Sequence, residues 1–127
     1  MRALVIDDSR TMRRIIVRIL HGLGFETVEA EDGRQALDLL AEGPVPDLAC
    51  VDWNMPVMDG LTFVVHARAD RSLRGMTLMM VTTESEHAQI VRALAAGAHE
   101  YLVKPFGADD LRDKLELLGL LPVEATS

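Results

Sequence analysis

Carboxylate, hydroxyl and ammonium side chains each follow a short apolar run in this sequence of 127 residues. A carboxylate can bind a metal ion or act as a nucleophile, and a lysine ammonium can neutralise phosphoryl oxygens. These side chains are Asp7 and Asp8 after residues 3–6, Asp52 after 47–51, Thr82 and Thr83 after 77–81, and Lys104 after 100–103. Together they have the chemistry of phosphoryl transfer, provided that the fold brings them to one place.

The apolar periodicity predicts a fold that does so. Short apolar runs predict strands at residues 3–6, 25–30, 47–51, 77–81 and 100–103. Helical spacing predicts helices after Ser9, a plausible N-cap, around residues 36–40, at about 61–69, around 90–95 and at 109–118. Five alternating strand and helix units indicate a single-domain doubly wound α/β fold with a five-stranded parallel sheet. We expect the domain to span residues 1–120, followed by a short tail at 121–127.

In such a sheet, ligands bind beyond the carboxyl ends of the strands, where the strand order reverses. With the order 2-1-3-4-5, strands 1 and 3 are neighbours, and Asp7, Asp8 and Asp52 meet in one pocket. Three like charges need a raised pKa or a cation for compensation. Oxygen ligands favour a hard ion, and few protein ligands favour Mg²⁺ over Ca²⁺. Lys104 adds a second positive charge nearby.

Asp52 is the candidate nucleophile of this pocket. The sequence has no glycine-rich phosphate loop to hold a nucleotide, so the phosphoryl group must be attached elsewhere, as in an aspartyl phosphate. Each residue also has a simpler interpretation. Asp8 could be a turn or N-cap residue, Thr82 and Thr83 could cap the fourth helix, and Lys104 could be a solvated surface charge.

Composition excludes several other functions. The net charge of −7 disfavours binding to nucleic acid or acidic lipid. The single cysteine, Cys50, excludes an internal disulfide, and the four histidines lack metal-ligand spacing with it. No apolar run is long enough for a membrane span or a signal peptide. We expect a cytoplasmic protein whose partners are proteins or small ligands.

The motifs around these residues resemble the receiver domains of two-component response regulators, and among them the stand-alone chemotaxis regulators. The matching segments cover essentially the whole chain in order. They are DDS at 7–9, TMRR at 11–14, AEDG at 30–33, DWNMP at 52–56, MDG at 58–60, MVT at 80–82, AGA at 96–98 and YLVKPF at 101–106.

The resemblance implies a role for each site residue. Asp52 is then the phosphoacceptor, Lys104 the phosphate-binding lysine, Thr82 the switch hydroxyl and Tyr101 the switch aromatic. It also implies a cis bond between Lys104 and Pro105. Mg²⁺ is then held by Asp8, Asp52 and the backbone carbonyl of Asn54, with Asp7 acting largely through water.

The implied function is a phosphorylation switch. A sensor histidine kinase or a phosphotransfer protein phosphorylates Asp52, and the face formed by helix 4, strand 5 and helix 5 then controls a protein partner. The protein catalyses its own phosphorylation and dephosphorylation, without turnover of an external substrate, and Asn54 and Glu84 flank the path of the hydrolytic water. We expect a monomer without an output domain, and therefore a messenger, a phosphate sink or a relay.

One feature departs from the chemotaxis pattern. The fourth helix starts with Glu84 and Glu86, where chemotaxis regulators have basic residues, and the last helix begins with Asp109 and Asp110. This acidic face puts binding to the flagellar switch in doubt and predicts a partner with a basic or mixed docking segment.

Two other classes of protein remain open. A flavodoxin-like electron carrier shares the topology, but Asp7 and Asp8 would repel the phosphate of its cofactor. A receiver-like scaffold that binds partners without phosphorylation is opposed by the intact set of site residues.

Overall fold

The computed structural model describes residues 1–83 and 87–122, in which five strands alternate with five α-helices. The strands are β1 (Arg2–Ile6), β2 (Glu26–Ala30), β3 (Leu48–Asp52), β4 (Thr77–Thr83) and β5 (Glu100–Lys104). The helices are α1 (Arg10–Gly22), α2 (Gly33–Glu42), α3 (Gly60–Ala69), α4 (His87–Ala96) and α5 (Ala108–Leu117). A short 3₁₀ helix at Arg71–Leu73, which the sequence did not predict, precedes β4.

The sheet is fully parallel and has the order β2-β1-β3-β4-β5, as predicted. The strand order reverses between β1 and β3, which start the two halves of the sheet. In the register of the sheet, Ile6 lies opposite Val51 and Asp52 lies opposite Val81. The carboxyl ends of these strands therefore meet at one edge.

Alternate residues of each strand contribute to two separate cores, because successive side chains point to opposite faces of a sheet. Leu4 and Ile6 pack with α2, α3 and α4, around the fully buried Phe63. Ala3 and Val5 pack on the other face with residues of α1 and α5. Burial on both faces explains why β1, β3 and β4 are nearly continuous apolar runs, whereas the edge strand β2 is largely exposed and more polar.

Short polar residues begin three of the helices at the site edge. Ser9 accepts a hydrogen bond from the backbone N–H of Met12, so it is the N-cap of α1 as predicted. Asp32 and Asp59 cap α2 and α3 in the same way. The alternative that Asp8 is the N-cap of α1 is therefore wrong.

The strand ends differ slightly from the predicted ones. β3 runs from Leu48 to Asp52, one residue later than predicted, and β4 continues through Thr83. This continuation pairs Thr82 with Val103 and Thr83 with Lys104, so β5 also ends one residue later. In the part of the chain that the structure describes, no helix is long and apolar enough to cross a membrane.

Candidate phosphoacceptor and metal site

Three carboxylates meet where β1 and β3 end. One oxygen each of Asp7, Asp8 and Asp52 lies within 4.8 Å of the others. Asp7 and Asp52 are 1% and 7% exposed, whereas Asp8 is exposed. The cluster is therefore open on the side of Asp8 and closed beneath the other two carboxylates.

Lys104 compensates part of this negative charge. Its ammonium Nζ lies 3.3 Å from Oδ2 of Asp7 and 3.2 Å from Oδ1 of Asp52, with 15% of the side chain exposed. It is therefore not the solvated surface charge of the simpler interpretation. The Lys104–Pro105 bond is cis, which confirms the expectation from the resemblance.

Several polar atoms of Asp7 form hydrogen bonds. Its backbone N–H donates to the carbonyl of Ala30, and its Oδ1 accepts from the backbone N–H of Ser9 at 2.9 Å. Its own carbonyl accepts a hydrogen bond of 2.6 Å from Nη1 of Arg13. Arg13 belongs to the TMRR segment at 11–14, but nothing in that segment predicts its contact with the carbonyl of Asp7.

The pKa of Asp52 is raised from 3.8 to about 6. Burial is the main cause, and the charges of Asp7 and Asp8 add to it, while the charge and hydrogen bond of Lys104 act in the opposite direction. At neutral pH the Asp52 carboxyl group is thus ionised, and it is more basic than an ordinary aspartate. A carboxylate of this kind is suited to attack an electrophile.

The segment after β3 connects Asp52 to the start of α3. Trp53 donates its backbone N–H to the carbonyl of Val81, and its own carbonyl accepts from the N–H of Gly60. Asn54 is exposed. Further along, Met58 N–H bonds the carbonyl of Pro56 at 2.6 Å, and Val57 between them has a φ of 67°. This is the rare positive-φ form of the γ-turn, which the sequence does not predict for a β-branched residue.

The two predicted switch residues lie on β4 and β5, where Thr82 pairs with Val103 and Tyr101 pairs with Met80. Thr82 is 4% exposed, and its hydroxyl donates to the carbonyl of Thr83 at 3.3 Å. Tyr101 is half-buried against the core of Phe63, and Nζ of Lys114 lies 4.5 Å from the centre of its ring. Lys114 also bonds Glu100 at 3.0 Å. Glu84, the other predicted dephosphorylation residue, lies outside the described residues, as does Glu86.

The donor set fits a divalent cation. All three side chains offer oxygen, which hard cations prefer. Three carboxylates and the single ammonium of Lys104 leave two formal negative charges, which one Mg²⁺ ion would balance. The residues present are therefore compatible with the predicted magnesium site.

The fold and this acidic edge define a class of protein. Residues 3–116 match the family described as "Response regulator receiver domain", so the chain belongs to that family. Its relatives narrow the class to receiver domains of CheY-type response regulators. The chain is 47% identical over 117 residues to a "Chemotaxis protein CheY homolog" of Campylobacter jejuni, covering 91% of this chain and 90% of that protein. It is 45% identical over 117 residues to the "Chemotaxis protein CheY" of Pseudomonas aeruginosa, covering 91% and 94%.

Solved structures show the same fold. The chemotaxis protein CheY4 of Vibrio cholerae superposes with a TM-score of 0.85 at 34% identity, covering 91% of this chain and 96% of that chain. A CheY-like receiver domain protein from Methanospirillum hungatei superposes with a TM-score of 0.82 at 30% identity, covering 92% and 91%. The topology predicted from the sequence is thus confirmed.

Proposed function

We propose that this receiver domain accepts a phosphoryl group on Asp52 from a phosphohistidine of a sensor kinase or phosphotransfer protein. One observation carries the proposal. Asp52 ends β3 with its carboxylate 3.2 Å from the ammonium of Lys104, inside a cluster of two further carboxylates. A nucleophile is thus placed beside a cation that can neutralise the oxygens of an incoming phosphoryl group.

In this mechanism, an oxygen of Asp52 attacks the phosphorus in line with the phosphohistidine nitrogen. The new O–P bond forms as the P–N bond breaks, and the departing imidazole keeps the electron pair and takes up a proton. Lys104 pairs with a phosphoryl oxygen. A Mg²⁺ ion bound by Asp8, Asp52 and the Asn54 carbonyl, with Asp7 acting through water, would supply additional charge neutralisation.

We propose that the signal then passes to β4 and β5. The Thr82 hydroxyl turns from the carbonyl of Thr83 towards the phosphoryl group, and Tyr101 turns into the space released. The exchange shifts the population of two conformations of the face formed by α4, β5 and α5. Hydrolysis of the acyl phosphate ends the signal, with Asn54 and Glu84 orienting the attacking water.

The biological role that we propose is signalling in chemotaxis or a related two-component pathway. This proposal is supported by relatives that are 44–47% identical to the chain and are named chemotaxis proteins. The division into a receiver domain and a tail, the monomeric state and the cytoplasmic location remain predictions. A phosphate sink or relay is the alternative output.

The decisive experiment is incubation of the purified chain with acetyl phosphate and Mg²⁺, followed by intact-mass measurement. We expect one added phosphoryl group, which disappears in Asp52→Asn. The matched control is Asp38→Asn on the exposed surface of α2, which should be labelled like the wild type. Labelling that persists in Asp52→Asn would contradict the assignment, and an unlabelled wild type would favour the scaffold alternative.

Capture of partners from a lysate, with and without beryllium fluoride, tests the output. Beryllium fluoride mimics the phosphoryl group on an aspartate, so a messenger should retain its target only in that form. Equal capture in both forms would contradict the switch.

A further inference from the structure

We propose that Arg13 is a positioning residue that fixes the carboxyl end of β1, and with it Asp7, for Mg²⁺ binding. The inference rests on the proposed function of the acidic site, because it concerns the metal that those carboxylates would hold. It is carried by one buried contact, the 2.6 Å hydrogen bond from Nη1 of Arg13 to the carbonyl of Asp7.

The carbonyl of Asp7 needs such a partner. Both strand pairings of β1 end at Ile6, and the N–H of Asp7 makes the last bond, to the carbonyl of Ala30 on β2. Among the described residues, the carbonyl of Asp7 has no strand as its partner. A buried carbonyl without a hydrogen bond costs about 1–3 kcal/mol, and the chain can avoid that cost by shifting. Any such shift would move the Asp7 side chain away from its bonds with Ser9 and Lys104.

Arg13 is itself held rigidly. The residue is only 7% exposed, and its Nε bonds a carboxylate oxygen of Glu29 on β2 at 3.2 Å. The guanidinium therefore joins α1, β1 and β2 at the edge that carries the carboxylates. A planar group with several fixed donors can make both bonds at once, whereas a lysine ammonium on its flexible stem cannot reproduce that geometry.

Partners that hydrogen-bond metal ligands fix their direction, and their removal typically lowers metal affinity about 10–100-fold. Arg13 bonds the backbone of Asp7, whose carboxylate acts through water, so we expect the lower end of that range. Arg13 acts through Asp7 and not on the ion.

The direction of the change in Mg²⁺ affinity distinguishes a positioning role of Arg13 from an effect of its charge. Arg13 is a cation close to the pocket, so loss of its charge alone would strengthen the binding of another cation. Loss of its hydrogen bond to Asp7 would weaken that binding. A fall in Mg²⁺ affinity in a variant without the charge therefore reports the geometric role.

The experiment measures Mg²⁺ affinity by isothermal titration calorimetry and by Trp53 fluorescence, in Arg13→Met and Arg13→Lys. We expect Arg13→Met to bind Mg²⁺ about tenfold more weakly, and Arg13→Lys, which keeps the charge, to lie between it and the wild type. The matched control is Arg14→Met, which removes an exposed arginine from the same helix and should keep the wild-type affinity. Thermal unfolding without metal shows separately how much each change destabilises the fold.

Wild-type or tighter Mg²⁺ binding in Arg13→Met would overturn the inference, whatever the change in melting temperature. If Arg13→Met does not fold, Arg13→Lys decides, and its binding at wild-type affinity would overturn the inference. A wild type that binds no Mg²⁺ would instead refute the metal site, and with it both proposals.

Discussion

The protonation of Asp52 is governed by opposing contributions from its surroundings. Burial and the carboxylates of Asp7 and Asp8 favour the neutral form, while Lys104 favours the ionised form. The net result is the raised pKa of about 6. Because the folded state holds this proton more tightly than the unfolded chain, the ionised form of Asp52 is a cost to folding.

This cost predicts a pH dependence in the metal-free protein. The folded pKa lies above the unfolded value of 3.8, so the contribution of Asp52 to stability is greatest below pH 4 and is lost as the pH rises through about 6. The full change is about 3 kcal/mol. We expect Asp52→Asn to be more stable than the wild type at pH 7.5 by up to this amount, as measured by urea unfolding with a chelator present.

Comparison of the two proteins at pH 4.5 is the control for this prediction. There Asp52 is mostly protonated in the folded state, and the difference in unfolding free energy should be much smaller. A difference that is the same at both pH values would show that the ionisation of Asp52 does not cost stability. Addition of Mg²⁺ should stabilise the wild type more than Asp52→Asn, because the latter lacks a proposed ligand.

Asp8 and Lys104 lie in the same pocket, but we expect different effects when each side chain is removed. Asp8→Ala removes a proposed ligand and should weaken Mg²⁺ binding. Lys104→Ala removes a cation that already neutralises Asp7 and Asp52, so Mg²⁺ binding should be retained while phosphorylation by acetyl phosphate slows. Calorimetry and the labelling rate measure the two properties. Equal loss of Mg²⁺ binding in both variants would contradict the separation of roles.

The start of α3 packs against the end of β3 without room for a side chain. A Cβ atom at Gly60 would overlap the carbonyl oxygen of Asp52, and it would lie 3.1 Å from Cα of Trp53 and 2.9 Å from the side chain of Met80. Two of these neighbours are backbone atoms, which cannot move without displacing the end of β3. The helix and the strand are thus coupled at the site.

Gly60→Ala should therefore destabilise the fold by about 1–3 kcal/mol, the usual effect of overpacking. Gly75→Ala is the matched control, because a Cβ there meets nothing within 4 Å, and it should be neutral or slightly stabilising. Urea unfolding of both variants measures the difference. If the two variants were equally stable, the backbone around Gly60 would have to accommodate the added methyl group without cost, contrary to this prediction.

The elements were predictable from the sequence because their signals are local. The apolar runs of β1 and β3 and the cap at Ser9 lie in consecutive residues, and the alternation of strands and helices then determines the sheet. The turn at Val57 and the contact of Arg13 with Asp7 were not predictable. Both depend on packing between segments, and no residue type marks them in the sequence.

The sequence predicts that the strand ends of the site meet, but it does not predict every side-chain contact near them. The parallel topology brings together the strand ends that carry Asp7, Asp52 and Lys104, so their meeting follows from the fold. The contact of Lys114 with the ring of Tyr101 joins β5 to α5 and depends on the angle between them. Such an angle is set by the whole core and not by the local sequence.

Across the molecule, charge is distributed unevenly on the face formed by α4, β5 and α5. Asp109 and Asp113 are exposed on α5. Asp110 is also exposed, but it accepts a hydrogen bond of 2.8 Å from the N–H of Gly107 and caps the helix. A charge-reversal test of partner binding should therefore use Asp109 and Asp113 and leave Asp110 intact.

We expect Asp109→Lys with Asp113→Lys to slow association with a basic partner captured by the beryllium fluoride form, and to reduce the dependence of that rate on salt. Phosphorylation by acetyl phosphate should not change. The matched control is Asp38→Lys with Glu42→Lys, which makes the same change in net charge on α2, beside the opposite edge strand. If the association rate changes neither with these two pairs of substitutions nor with salt, the acidic face has no role in recognition.

The ion pair between Lys104 and Asp7 joins residues that are 97 positions apart in the chain. During synthesis, Asp7 leaves the ribosome early, and Lys104 follows only when the fifth strand has been made. Until β5 is in place the carboxylates lack their ammonium partner, so an unfinished or partly folded chain has an incomplete pocket. Under the proposed function, acceptance of a phosphoryl group on Asp52 would therefore require a completed sheet.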